Sequence, residues 1–175
     1  MSAAVDVQVR GRVAAWLAGG AVLAALAAMW AELDGRPRLA GAVTVAAGAL
    51  LLVVGALARR SGAMVDRLVD SFADRVFDGC VLAAIAWTAR AQSRSIAAAA
   101  VVSLCLSFLN AYMSARGASL GYRVQASLAV RGLRYGLISA GLLGGWLEQT
   151  LWALAVLMLL TAIVRAGQVA KEERA

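Results

Sequence analysis

Apolar segments dominate the 175-residue chain and restrict it to folds that a lipid bilayer can hold. Hydrophobic residues make up 62% of the sequence, and the mean hydropathy is +0.78, whereas soluble domains are nearer half apolar. Six apolar runs, separated by polar gaps, cover residues 13–30, 39–57, 77–88, 96–115, 135–146 and 151–164. We predict an all-α integral membrane protein whose six transmembrane helices form one domain, residues 1–175.

The third and fifth apolar runs are too short for a spanning helix, which needs about 20 residues. Each reaches that length only if its helix begins in the polar sequence before it. The third helix is therefore predicted to start near Asp66 and the fifth near Leu128. Both helices then carry charged side chains at a membrane face or in a hydrated cavity.

Arginine placement predicts the orientation, because cytoplasmic loops are rich in Lys and Arg. With the N-terminus inside, both termini are cytoplasmic, as a segment 1–12 and a tail 166–175. Of the 17 basic residues, the outer side then holds only Arg36, Arg38, Arg90 and Arg94. We predict a multi-pass protein of the cell (inner) membrane whose functional face is cytoplasmic. The net charge of +7 is interpreted as topology charge, with no nucleic-acid partner.

Four acidic residues lie at four-residue spacing in the polar start of the third helix: Asp66, Asp70, Asp74 and Asp78. Each step turns about 40° beyond one full helical turn, so the aspartates form a stripe on one helix face. Like charges at this spacing repel, and a positive partner is expected. Either the stripe is a solvated helix end paired with Arg67 and Arg75, or it holds a divalent cation through carboxylate oxygens.

The segment VDSFADRVFDG resembles the second half of the signature of CDP-alcohol phosphatidyltransferases, and is most similar to that of actinobacterial phosphatidylinositol-phosphate synthases. Asp70 and Asp74 take the places of the two motif aspartates, and Arg75, Asp78 and Gly79 match the subfamily's extension.

Other segments extend the resemblance over residues 40–165. VVGALARR resembles the first half of the signature through Gly55, Ala58 and Arg59. NAYMSARGASLG and VRGLR resemble later segments through Tyr112, Ala115, Arg116, Arg131 and Arg134, and TAIVR ends at Arg165.

The resemblance implies an enzyme of phospholipid biosynthesis that transfers a phosphatidyl group from a CDP-linked lipid to a small polar or phosphorylated alcohol, with release of CMP. It implies Mg²⁺ or Mn²⁺ on Asp70 and Asp74, and Asp74 as catalytic base; Asp66 and Asp78, which extend the same stripe, are candidate further ligands. Nucleotide or substrate would be bound by Gly55, Ala58, Arg59, Arg75, Arg116, Arg131 and Arg134.

The first half of the signature departs from the family pattern where two metal-binding aspartates are expected, because the chain has Leu51 and Val54 there. Whether the chain is an enzyme therefore stays open. One alternative is a catalytically impaired binding or regulatory subunit of an active paralogue, as a homodimer or heterodimer; another is an unrelated channel or transporter. The pairs Gly132/Gly136 and Gly141/Gly145 have the spacing of close helix packing.

Overall fold

Helices account for nearly all of the residues that the structure describes. The computed structural model describes the backbone of residues 2–122 and 127–172 and the side chains of residues 12–122 and 127–168, and within these ranges it contains six α-helices and no strand. They are α1 Ser2–Leu33, α2 Pro37–Ser61, α3 Met64–Ala89, α4 Arg94–Ser119, α5 Leu128–Gly144 and α6 Leu147–Glu172. The predicted all-α architecture is confirmed, and α3 and α5 do begin in polar sequence.

The predicted terminal segments are only partly described. The backbone of segment 1–12 is described from Ser2 as the start of α1, and its side chains only at residue 12. The backbone of tail 166–175 continues α6 to Glu172, whereas residues 173–175 lie outside the described residues. Arg123 of the α4–α5 connection also lies outside them.

Membrane-spanning character is clearest in four helices. Within the described part of the chain, residues Arg12–Leu33, Pro37–Ser61, Arg94–Ser119 and Leu147–Gln168 are long and apolar enough to cross a bilayer. These belong to α1, α2, α4 and α6, so the chain is a multi-pass membrane protein. Membrane crossing by α3 and α5, which carry the charged side chains, stays a prediction.

Five of the helices pack as a closed ring in the order α2, α3, α4, α6 and α5, with α5 returning to α2. The remaining helix, α1, packs against α2 and α3. Its inward face consists of small side chains, which allow a close approach: Ala14, Ala18, Ala21, Ala25, Ala28 and Ala31 are all buried. The ring places one end of each of its five helices around a common space, where the charged residues lie.

A row of glycines on α2 sets its distance from α5. Gly41, Gly48 and Gly55 recur every seven residues, which returns them to nearly the same helix face. A Cβ atom added at Gly41 would lie 2.9 Å from Leu143 Cγ. One added at Gly48 would lie 2.9 Å from Tyr135 Cβ, and one added at Gly55 would lie 2.9 Å from Arg131 Nη1. We call these three residues the glycine seam, because their lack of side chains lets the two helices approach closely.

The glycine pairs that the sequence singled out behave differently from one another. A Cβ at Gly141 would lie 3.1 Å from Leu147 Cα, so this glycine does permit close packing, at the turn into α6. Gly145 has a φ of 77° and ends α5 in the left-handed conformation. Gly132 would make only ordinary contact with Leu52, and a Cβ at Gly136 would meet no described atom within 4 Å. The association of the chain as a homodimer or heterodimer stays a prediction.

Gly136→Ala is expected to stabilise the protein by about 0.5–1 kcal/mol, since alanine restricts the unfolded chain and favours helix more than glycine does. The added methyl group has open space in the described structure. The unfolding midpoint of the variant in detergent, compared with the parent chain, measures the effect. A clear fall in the midpoint would show that this face of α5 is covered.

Candidate functional site

A cavity of about 920 Å³ opens at the end of the ring where α2 ends and α3 and α5 begin. All five ring helices line it. Among the described residues, the charged lining comprises Arg59, Arg67, Arg75, Arg131, Arg134 and Arg165 together with Asp70 and Asp74. The α2–α3 connection, with Gly62 at a φ of 68°, lies at this end, which is the side predicted to be cytoplasmic.

Asp70 binds a guanidinium group from α5. Arg131 Nη1 donates to both carboxylate oxygens of Asp70, at 2.8 and 2.9 Å. Asp70 is only 8% exposed, so the pair is largely withdrawn from water. The α2 backbone lies beside this pair, because a Cβ at Gly55 would come within 3.2 Å of Asp70 Oδ1.

Asp74 has polar partners on both of its carboxylate oxygens. Arg134 Nη2 and the Tyr135 hydroxyl donate to Oδ1, and Arg75 Nη2 donates to Oδ2. Arg131 Nη2 lies 3.9 Å from Oδ2. A general base must reach the proton that it accepts, and three donors already use most of the acceptor sites of Asp74, two on Oδ1 and one on Oδ2.

Asp78 is fully buried, with 0% exposure, and its Oδ2 atom accepts from α4 and α5. The Ser107 hydroxyl donates to it, Arg134 Nη1 donates at 3.0 Å, and Arg75 Nη1 lies at 3.3 Å. The positive partner expected for the aspartate stripe therefore exists. It comes mainly from α5, and only in part from the arginines of α3 itself.

We call these six residues the arginine–aspartate network: Asp70, Asp74, Asp78, Arg75, Arg131 and Arg134. Gly55, Ala58 and Arg59 line the adjoining cavity as well. Two predicted site residues lie away from the cavity and the network. Within the described part of the chain the cavity lining omits both Asp66, in the first turn of α3, and Arg116, which is exposed in the last turn of α4.

The sequence reasoning missed the contribution of α4. Ser107 Oγ contacts Asp78, and both its hydroxyl and its carbonyl accept from Arg75 Nη1 at 2.7 Å. Asn110 Nδ2 donates to the carbonyl of Met158 at 2.8 Å and joins α4 to α6. A signal was available: Ser103, Ser107, Asn110 and Ser114 recur at spacings of four, three and four within an apolar run, which predicts one polar helix face.

The residues present do not fit a divalent metal. Mg²⁺ requires an octahedral oxygen shell, and each carboxylate of the network already binds a guanidinium group. Leu51 and Val54, at the positions of the expected α2 ligands, are aliphatic and 0% exposed. Within the described residues no group of three His, Cys, Asp or Glu side chains could hold a metal ion.

Comparison with known proteins finds similarity in sequence and in fold. The chain is 32% identical over 119 residues to phosphatidylinositol phosphate synthase of Mycobacteroides abscessus, an alignment that covers 63% of this chain and 54% of that protein. It thus spans about half the length of this relative. The crystal structure of Mycobacterium tuberculosis phosphatidylinositol phosphate synthase in apo form superposes with a TM-score of 0.74 at 22% identity, covering 89% of this chain and 88% of the other.

No protein-family model matches the chain. The two similarities nevertheless confirm the resemblance to CDP-alcohol phosphatidyltransferases that the motifs predicted, with actinobacterial phosphatidylinositol phosphate synthases as the similar subfamily. The six helices of the chain have the same fold as that crystal structure. The roles of the individual site residues stay predictions.

Proposed function

We propose that this CDP-alcohol phosphatidyltransferase-like protein works in phospholipid biosynthesis by binding the phosphate-bearing part of a CDP-linked lipid in its cavity. The observation that carries this proposal is the charge of the site. Among the described residues, six arginines line the cavity, and the network holds three aspartates. Guanidinium groups match phosphate oxygens in geometry and charge.

The membrane arrangement in this proposal is one domain, residues 1–175, with six helices across the cell (inner) membrane and both termini in the cytoplasm. The end of α2 and the starts of α3 and α5 line the cavity with Arg59, Arg67, Arg75, Arg131 and Arg134, which supports a cytoplasmic site by the positive-inside rule. The lipid tails then lie in the bilayer beside the ring, and the pyrophosphate reaches the arginines at the membrane face.

Binding without transfer is the function that the geometry supports best. The α2 carboxylates are replaced by buried Leu51 and Val54, and Asp74 has partners on both oxygens. In this role the chain is a binding or regulatory subunit, as a homodimer or with an active paralogue. The paralogue would supply the complete metal site and the transfer step.

Phosphatidyl transfer by this chain is the second candidate function, favoured by its similarity over 119 residues to a synthase and by the presence of Asp70 and Asp74. In that reaction an acceptor oxygen bonds to the phosphorus of the phosphatidyl group, the pyrophosphate linkage breaks and CMP leaves. Asp74 could take the acceptor proton on Oδ2, which among the described residues accepts one hydrogen bond, from Arg75.

The test uses the purified full chain in nanodiscs with CDP-diacylglycerol labelled in the cytidine. We expect the lipid to be retained without release of CMP when Mg²⁺ or Mn²⁺ and phosphorylated alcohols such as inositol phosphate are added. Release of CMP that disappears in Asp74→Asn would establish transfer instead. Lack of lipid binding both with and without metal would contradict both functions, and stable co-purification with a paralogue that has an intact signature would support the subunit role.

A further inference from the structure

We infer that arginines of α3 and α5, and not a divalent metal, supply the counter-charge of the aspartate stripe in this chain, so that the cavity binds a phosphate or pyrophosphate group directly on guanidinium groups. For the identity of the natural ligand this inference rests on the proposed function. The absence of a metal requirement rests on the residues of the chain alone.

The pairing pattern of the network is that of bridging cations. Arg131 contacts Asp70 at 2.8 Å and Asp74 at 3.9 Å, while Arg75 and Arg134 each contact both Asp74 and Asp78. Every guanidinium thus links two carboxylates that would otherwise repel in a low-dielectric site. Bridging of this kind is what a bound metal supplies to a set of carboxylates.

Arg131 lies between Asp70 and the segment of α2 that lacks the expected aspartates. Its Nη1 atom lies where a Cβ on Gly55 would be 2.9 Å away, and Gly55 follows Val54, where the family pattern expects an aspartate. A cation from α5 therefore lies against the stretch of α2 that has lost its carboxylates. Because α2 has Leu51 and Val54 in place of carboxylates, Arg131 balances the charge of Asp70 without an ion.

The network is neutral in itself, with three arginines and three aspartates. Among the described lining residues there are three more arginines: Arg59, Arg67 and Arg165. The Arg165 side chain is positioned on the cavity wall, because its Nη1 donates to the Asn110 carbonyl at 2.7 Å and to the Ser114 hydroxyl at 2.6 Å. The resulting excess of positive charge suits a multiply charged anion without a metal partner.

Direct anion binding is tested on the full chain in nanodiscs with inorganic pyrophosphate as the probe, in EDTA. We expect binding in EDTA, and we expect Arg59→Gln and Arg165→Gln each to weaken it roughly tenfold or more, as the loss of a charged hydrogen bond does. Arg116→Gln is the matched control, since this arginine is exposed and outside the described lining. Equal affinity in all four proteins, or no binding in EDTA, would overturn the inference.

A second experiment tests for metal binding. The unfolding midpoint is measured with Mn²⁺ as the only added ligand, for the parent chain, Asp70→Asn, Arg131→Gln and the double variant. We expect no shift with Mn²⁺ in the parent chain. Each single variant should lower the midpoint, and the double variant should lose little more than either, equally in EDTA and in Mn²⁺. A Mn²⁺-dependent rise that Asp70→Asn abolishes would overturn the inference.

The two proposals can fail separately. If pyrophosphate binds in EDTA while CDP-diacylglycerol does not bind under any condition, the metal-free anion site stands and the proposed function fails. If CDP-diacylglycerol binds only when Mn²⁺ is present, the proposed function stands and the metal-free site fails.

Discussion

Arg134→Ala is expected to lower the free energy of unfolding by about 3–5 kcal/mol, because it leaves buried carboxylates without their main counter-charge. Arg134 is only 4% exposed. It donates to Asp74, to Asp78 and to the Ser107 hydroxyl. Its loss removes hydrogen bonds from α5 to both α3 and α4 at this end of the ring.

Equilibrium unfolding in mixed micelles measures the loss. Arg67→Ala is the matched control, since Arg67 is exposed and donates to the Gly62 carbonyl at 3.3 Å; surface changes of this kind alter stability by about 0.5 kcal/mol or less. Adding Asp78→Asn to Arg134→Ala should recover part of the loss, because it removes a carboxylate left unpaired. A loss below about 1 kcal/mol for Arg134→Ala would show that the network does not stabilise the bundle.

Gly48→Val is expected to cost about 3 kcal/mol, at the upper end for side chains forced into a packed core. A Cβ at this position would lie 2.9 Å from Tyr135 Cβ and 3.0 Å from Tyr135 Cγ. The Tyr135 Cβ atom is fixed to the α5 backbone, so the clash cannot be relieved at the flexible end of a side chain. The two helices must separate, and Tyr135 is then drawn away from Asp74.

The effect of Gly48→Val has two readouts, the unfolding midpoint and pyrophosphate binding in EDTA. Both should fall, since the displaced Tyr135 is the neighbour of Arg134 in α5. Gly136→Ala is the control on the same helix pair, with open space around the added methyl group. If Gly48→Val is tolerated as well as Gly136→Ala, α2 and α5 do not depend on the glycine seam for their approach.

Local features of the sequence were sufficient to predict where the helices lie. Apolar runs specify helices in a bilayer because every backbone polar group must be satisfied within the segment. The same requirement of length correctly placed the starts of α3 and α5 in polar sequence. The stripe formed by Asp70, Asp74 and Asp78 was also predictable, since spacing along a single helix fixes which side chains share a face.

The tertiary structure decided what that stripe binds. Arg131 and Asp70 are 61 residues apart in the chain, and their pairing depends on α5 returning to lie against α2 and near α3. Close approach of α2 and α5 depends in turn on the glycine seam, whose contacts with another helix no single-helix pattern specifies. Thus local sequence patterns were enough to predict the helices, their polar faces and the lack of α2 carboxylates at Leu51 and Val54. Only the packing of distant helices decided that guanidinium groups would face the remaining aspartates, because the energy of a buried charge depends on what the fold brings within a few ångströms of it.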